Sequence, residues 1–166
     1  HVQLLHPQDV HRLGQLGVAA SMQPIHATSD MLMADRYWGQ RAALSYAWRS
    51  QLENDAILAF GSDAPVESPN PFWGLHAAVT RRRQDGSPGE AGWYPEQKLT
   101  FLEALHAYTL APAKLAGWAD RLGRLLPGYH ADLLVLDQDP FDCPPEDVWR
   151  MAPVKTMFAG EWVWEA

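Results

Sequence analysis

One cysteine, Cys143, is all that the 166-residue chain contains. An intramolecular disulfide is thereby excluded, as is any metal site built from several thiolates. Long apolar runs are missing too. None approaches the ~18 residues that a membrane-spanning helix needs, and no apolar stretch reads as an export signal. These absences set the expectation of a reducing, cytoplasmic setting. Positive charge is scarce: 13 Lys and Arg stand against 20 Asp and Glu, a formal net charge of −7. That balance argues against nucleic acid or an anionic membrane as partner. The one basic run, Arg81-Arg82-Arg83, reads as a solvated helix end, where cations meet the negative pole of the dipole. Among the 7 histidines there is no H-x-H pair and none at i, i+4 on one helix face.

What is present is a core. Hydrophobic residues make up 47% of the chain, and its 8 tryptophans are many for this size. Ile57-Leu58-Ala59-Phe60 is a short apolar run that stops at Gly61-Ser62-Asp63. It reads as a buried strand whose C-terminal end delivers a carboxylate into a loop. In α/β barrels, catalytic groups sit at that end of the strands. A complete barrel needs roughly 200 residues or more, so on that reading the chain is one part of a barrel.

The remaining pattern is consistent with α/β alternation. Pro7 to Gly17 reads as a short helix and Val18 to Pro24 as a small-residue strand, followed by a polar loop, His26 to Asp30. Arg41 to Leu52 reads as one helix, and Phe72 to Arg83 as another after the proline-rich loop Ala64 to Pro71. Gln84 to Trp93 is expected as an exposed, mobile loop. Thr100 and Glu103 have capping-box spacing, and Pro112 interrupts the helix that follows. Beyond Gly117 the character changes: Ala131 to Asp137 is a strong strand, and Val154 to Trp164 a hairpin turning at Ala159-Gly160-Glu161. These tail strands are expected to form an antiparallel sheet apart from Ile57 to Phe60.

Three blocks carry a resemblance to the metal-dependent amidohydrolases, most closely to their YtcJ-like branch, amidohydrolase family 3. The first joins His1-Val2-Gln3-Leu4-Leu5-His6-Pro7 to Ala20 through Asp30, which contains Gln23-Pro24-Ile25-His26. The second is Gly61-Ser62-Asp63-Ala64-Pro65-Val66-Glu67-Ser68-Pro69, and the third runs from Gly123 to Asp137. The resemblance implies an α/β fold: the C-terminal part of a (β/α)8 TIM barrel over residues 1–120, from the end of strand six to strand eight. It implies that residues 121–166 are the C-terminal strands of a small β-sandwich. It further implies a divalent metal, one or two ions in the complete enzyme, with zinc suited to imidazole and carboxylate donors.

The site residues follow from the same likeness. Asp63 corresponds to the family's metal ligand and proton shuttle; by spacing alone a strand-end Asp making a turn or capping the next segment is the commoner case. His1 corresponds to a metal-ligating histidine ending strand six, against the plain reading of an exposed terminal residue. His26 corresponds to a contact with substrate or transition state, against a loop histidine bonded to backbone. Asp30 is expected to cap a following helix, Glu67 to be a solvated loop residue, and the other five histidines to be structural. Tyr37, Trp38 and Trp73 form either an aromatic wall or core packing. The implied reaction is hydrolysis of a C–N bond other than a peptide bond, in a small-molecule amide or N-formyl or N-acyl amine. The rivals are a non-catalytic fragment or binding domain, and a barrel isomerase. The expected partner is the remainder of the barrel, with a homo-oligomer also open, and the isolated 166 residues are expected to be catalytically silent.

Overall fold

The computed structural model describes residues 1–166. A 3-10 turn, Pro7–Asp9, and a one-turn helix, α1 (Arg12–Gln15), precede β1 (Ala20–Met22). Then come α2 (Pro24–Trp38), a 3-10 stretch (Gly39–Leu44), α3 (Trp48–Glu53) and β2 (Leu58–Phe60). β1 and β2 pair in parallel, Ala20 beside Leu58 and Met22 beside Phe60. This is the strand–helix–strand crossover that the alternation predicts. α4 (Pro71–Thr80), α5 (Phe101–Tyr108) and α6 (Leu110–Leu115) follow. Both strands are largely buried, and the core gathers Met22, Trp48, Phe60, Phe72, Leu75 and Trp93 between them and the helices.

The tail forms its own sheet. β3 (Leu133–Leu136), β4 (Pro153–Phe158) and β5 (Glu161–Glu165) are antiparallel in the order β3-β4-β5, unpaired with β1 or β2. The hairpin turn is Ala159-Gly160, both at positive φ, the two-residue geometry that matches strand twist; Glu161 already belongs to β5. Val148 and Met151, at a 3-10 turn (Pro145–Arg150) packed beside α4, carry this region into the core.

Three local expectations are overturned. His26 to Asp30 is not a loop but lies within α2. Gln23 is extended and Pro24 opens the helix, where its fixed φ suits the first turn and its missing N–H costs nothing. Asp30 is therefore mid-helix and caps nothing. Arg41 to Leu52 is not one helix: it breaks at Ser45 and Tyr46, the latter at φ 49°. Arg81 is the reason. It terminates α4 in the left-handed region and is fully buried, not solvated. Its guanidinium donates to the carbonyls of Trp93, Tyr46 and Ser45 and lies between the rings of Trp48 and Trp93, 4.3 and 4.9 Å from their centroids. Trp93, at the end of the exposed loop, is consequently buried. The capping box at Thr100 and Glu103 forms as expected, with the break before α6 at Thr109 and Pro112 inside that helix. Arg49 grips Glu103 with two bonds, at 2.8 and 2.6 Å, tying α3 to α5.

His76, buried in α4, is structural and brings a pH dependence. Burial, with Arg82 in support and Asp147 and Glu146 opposing, pushes its imidazole down to about 4 from 6.5. The folded state favours the neutral ring, so the unfolded chain binds a proton first as pH falls. Stability should drop between about pH 6.5 and 4 and level off below, a loss on the order of 2 kcal/mol after allowing for partial solvent access. Denaturant titrations at pH 7, 5.5 and 4.5 measure it, and His76→Leu should remove that part of the slope. Equal slopes in both proteins would contradict the assignment.

Candidate metal centre

The C-terminal ends of the two parallel strands open on the same side. β1 ends at Met22, and two residues on α2 begins at Pro24, which puts His26 in its first turn. β2 ends at Phe60, and Asp63 follows three residues on at φ 59°, a left-handed conformation that aspartate tolerates better than most residues. The segment carrying His1 runs alongside. Three donors thus converge: a nitrogen of His1, a nitrogen of His26 and an Asp63 oxygen all lie within 4.8 Å of one another.

The contacts decide what each atom presents. His26 Nε2 is 3.3 Å from Asp63 Oδ2, and its Nδ1 is 3.3 Å from Glu67 Oε1. His1 Nε2 is 3.9 Å from the same Asp63 oxygen, while its Nδ1 meets Gln23 Oε1 at 2.5 Å. The two imidazoles stand edge to face, 5.3 Å between centroids. His26 is the most enclosed, its side chain 12% exposed against 52% for His1 and 40% for Asp63.

A neutral His26 cannot satisfy two carboxylates, since one ring nitrogen then presents a lone pair to an oxygen anion. A cation between Nε2 and Oδ2, or a second proton on the ring, removes the conflict. With Gln23 Oε1 accepting from Nδ1, His1 likewise turns a lone pair from Nε2 towards Asp63. Ligand atoms about 2.0–2.1 Å from a tetrahedral zinc stand about 3.4 Å apart. His1 Nε2 and Asp63 Oδ2, at 3.9 Å, stand about half an ångström outside that figure, with His26 Nε2 3.3 Å from the same oxygen. Imidazole and carboxylate are also the donor chemistry that zinc accepts. The residues present fit a divalent metal.

The structure brings together all three site residues expected from the sequence. It also adds two. Glu67 is not a solvated loop residue: its side chain is 19% exposed and faces His26. Gln23, directly before α2, faces His1. Both lie inside the blocks that carry the family likeness, which was the available signal, but Glu67 meets His26 only with the loop after β2 folded back over α2, and Gln23 meets His1 only with the first segment laid beside the start of α2. Asp30 makes no bond to His26 and instead accepts from Tyr46 and Gln3. Tyr37 is 69% exposed, and neither it nor Trp73 is part of the buried core. Trp38 packs against that core. No helix is long and apolar enough to cross a membrane.

The chain has relatives among known proteins. The chain is 35% identical to the Arabidopsis thaliana protein LONG AFTER FAR-RED 3 over 89% of its own length and 25% of that protein's. It is 30% identical to YtcJ of Bacillus subtilis over 99% of the chain and 31% of the relative. It is 33% identical to an N-substituted formamide deformylase of Arthrobacter pascens over 68% and 20%. The chain thus spans less than a third of the length of these relatives. Among solved structures, an uncharacterized metal-dependent hydrolase of Pyrococcus horikoshii superposes with a TM-score of 0.74 at 29% identity, over 87% of this chain and 29% of that one. A model of the amidohydrolase family matches residues 1–164, and the chain accordingly belongs to that family.

Proposed function

We propose that the protein carrying this chain is a metal-dependent hydrolase of C–N bonds other than peptide bonds, acting on an amide or an N-formyl or N-acyl amine. The convergence of His1, His26 and Asp63 at the strand ends carries this reading. The likeness to a formamide deformylase supports the substrate class. His1 and Asp63 would hold the ion, with zinc as first choice by donor type. When bound, such an ion supplies Lewis-acid activation of water and of the scissile carbonyl at neutral pH.

The chain's own groups do the rest. Asp63 takes a proton from the attacking water as its oxygen adds to the carbonyl carbon. It returns that proton to the amine nitrogen as the C–N bond breaks, leaving a carboxylic acid and an amine. His26, its Nδ1–H held by Glu67, presents Nε2 to the carbonyl oxygen, with a proton there to stabilise developing negative charge. On the same reading β1 and β2 belong to a (β/α)8 barrel that the rest of the protein completes, and residues 121–166 contribute to a small β-sandwich.

The test is metal content and turnover of the intact protein on a panel of N-formyl and N-acyl amines, followed by amine release. Removing the metal with a chelator should abolish hydrolysis, and zinc should restore it. Full turnover in metal-free protein would overturn the proposal.

A further inference from the structure

His1 is half exposed and its ring is held by one hydrogen bond, to Gln23. Two residues on, Gln3 is fixed far more firmly. Its carbonyl accepts from Ser45 Oγ at 2.7 Å and from the Tyr46 amide at 3.3 Å. Its side-chain amide donates to Asp30 Oδ2 at 3.1 Å. That same oxygen accepts from the Tyr46 hydroxyl at 2.5 Å. The Leu5 amide adds a bond to the Leu44 carbonyl at 3.1 Å. Asp30 stands one turn beyond His26 on α2, four residues along the same helix face. One carboxylate therefore joins the segment carrying His1, the helix carrying His26 and the break between Leu44 and Trp48.

We propose that Asp30 and Tyr46 are positioning residues that, through Gln3, set where His1 stands relative to Asp63 and His26, and thereby the metal affinity of the site. The inference rests on the reading of that site as a metal centre. Two residues span at most about 7 Å, so a shift of the Gln3 anchor carries through to the His1 imidazole. Tyr46 is fully buried, and burial together with Asp30 holds its hydroxyl well above the ordinary range. It remains a proton donor to Asp30 throughout the working pH range. Arg81 braces the same break from below through the Ser45 and Tyr46 carbonyls. Neither Asp30 nor Tyr46 is bonded to a metal-ligating atom, so their effect on the metal passes through the backbone they hold.

Tyr46→Phe keeps the ring and deletes only the hydroxyl. In the intact protein it should weaken zinc binding about tenfold by chelator competition, the size seen when an outer partner of a ligand is lost. The visible spectrum of the cobalt-loaded protein should change, while the thermal midpoint of the metal-free protein moves by only a few degrees. Gln3→Leu, at an exposed position where folding is not at stake, should weaken zinc in the same direction. In Tyr46→Phe/Gln3→Leu the two losses should fall short of additive, because both act on one anchor. Zinc affinity within twofold of the parent in both single variants, with an unchanged cobalt spectrum, would overturn the proposal. Asp63→Asn separates the two readings. If it loses metal while the Tyr46 and Gln3 variants keep it, the clamp fails and the metal centre stands; if it keeps metal, both fall.

Discussion

Asp63→Asn in the intact protein should lower kcat/KM by about a thousandfold, a rise of roughly 4 kcal/mol in the barrier at about 1.4 kcal/mol per factor of ten. General acid–base catalysis alone accounts for about 10²–10⁴, and a weakened metal site adds to the loss. Asparagine has the same shape, so the packing of the loop after β2 is unchanged. It also tolerates the left-handed backbone that Asp63 occupies at φ 59°, so the substitution introduces no new strain. The thermal midpoint should therefore stay within a few degrees while turnover collapses. Steady-state kinetics on an N-formyl amine, beside a melting curve, separate the two effects. Activity within tenfold of the parent would remove Asp63 from the proton path.

Arg81→Met should be strongly destabilising, at about 3–5 kcal/mol. Replacing a buried charge with an apolar side chain is often close to neutral when its ion partner is replaced too. Here the partners are main-chain carbonyls of Ser45, Tyr46 and Trp93, which no substitution removes. Each buried oxygen left without a donor costs about 1–3 kcal/mol. The stacking on Trp48 and Trp93 is lost with them. Arg81→Lys keeps the charge but not the planar fork, and cannot reach three carbonyls on two segments at once. It should fall between parent and Met. Because the same carbonyls brace the anchor of His1, both variants should also bind zinc more weakly than their loss of stability alone explains. Thermal midpoints check the order, with roughly 10 °C expected for Met. An unchanged midpoint for Arg81→Met would mean that water replaces the guanidinium at little cost.

The legible parts of this protein were those governed by neighbours in sequence. β2 and its terminal Asp63, the capping box at Thr100 and Glu103, and the tail hairpin each depend on a few consecutive residues. Pattern and turn chemistry determine them locally. The HVQLLHP, QPIH and GSDAPVES blocks, by their likeness to a family, pointed to His1, His26 and Asp63 as site residues, and the three do converge.

What failed to show was what distant segments do to one another. Arg81 sits in a run of three arginines, and composition alone assigns such a run to solvent. Only the packing of α4 against Trp48 and Trp93 turns one of the three inward. There it takes up carbonyls freed by the break after Leu44, which is also why Arg41 to Leu52 is not one helix. Glu67 becomes a partner of His26 only when the loop after β2 folds over α2, and Gln23 a partner of His1 only when the first segment lies beside the start of α2. Asp30 reads as a helix cap until Tyr46 and Gln3 reach it. Side-chain identity and local pattern are sequence properties, and they were sufficient for the strands, the caps and the site candidates. Which buried polar group meets which orphan carbonyl or carboxylate is a property of long-range packing, because an unpaired polar atom in the interior is too costly to leave and its partner can come from anywhere in the chain.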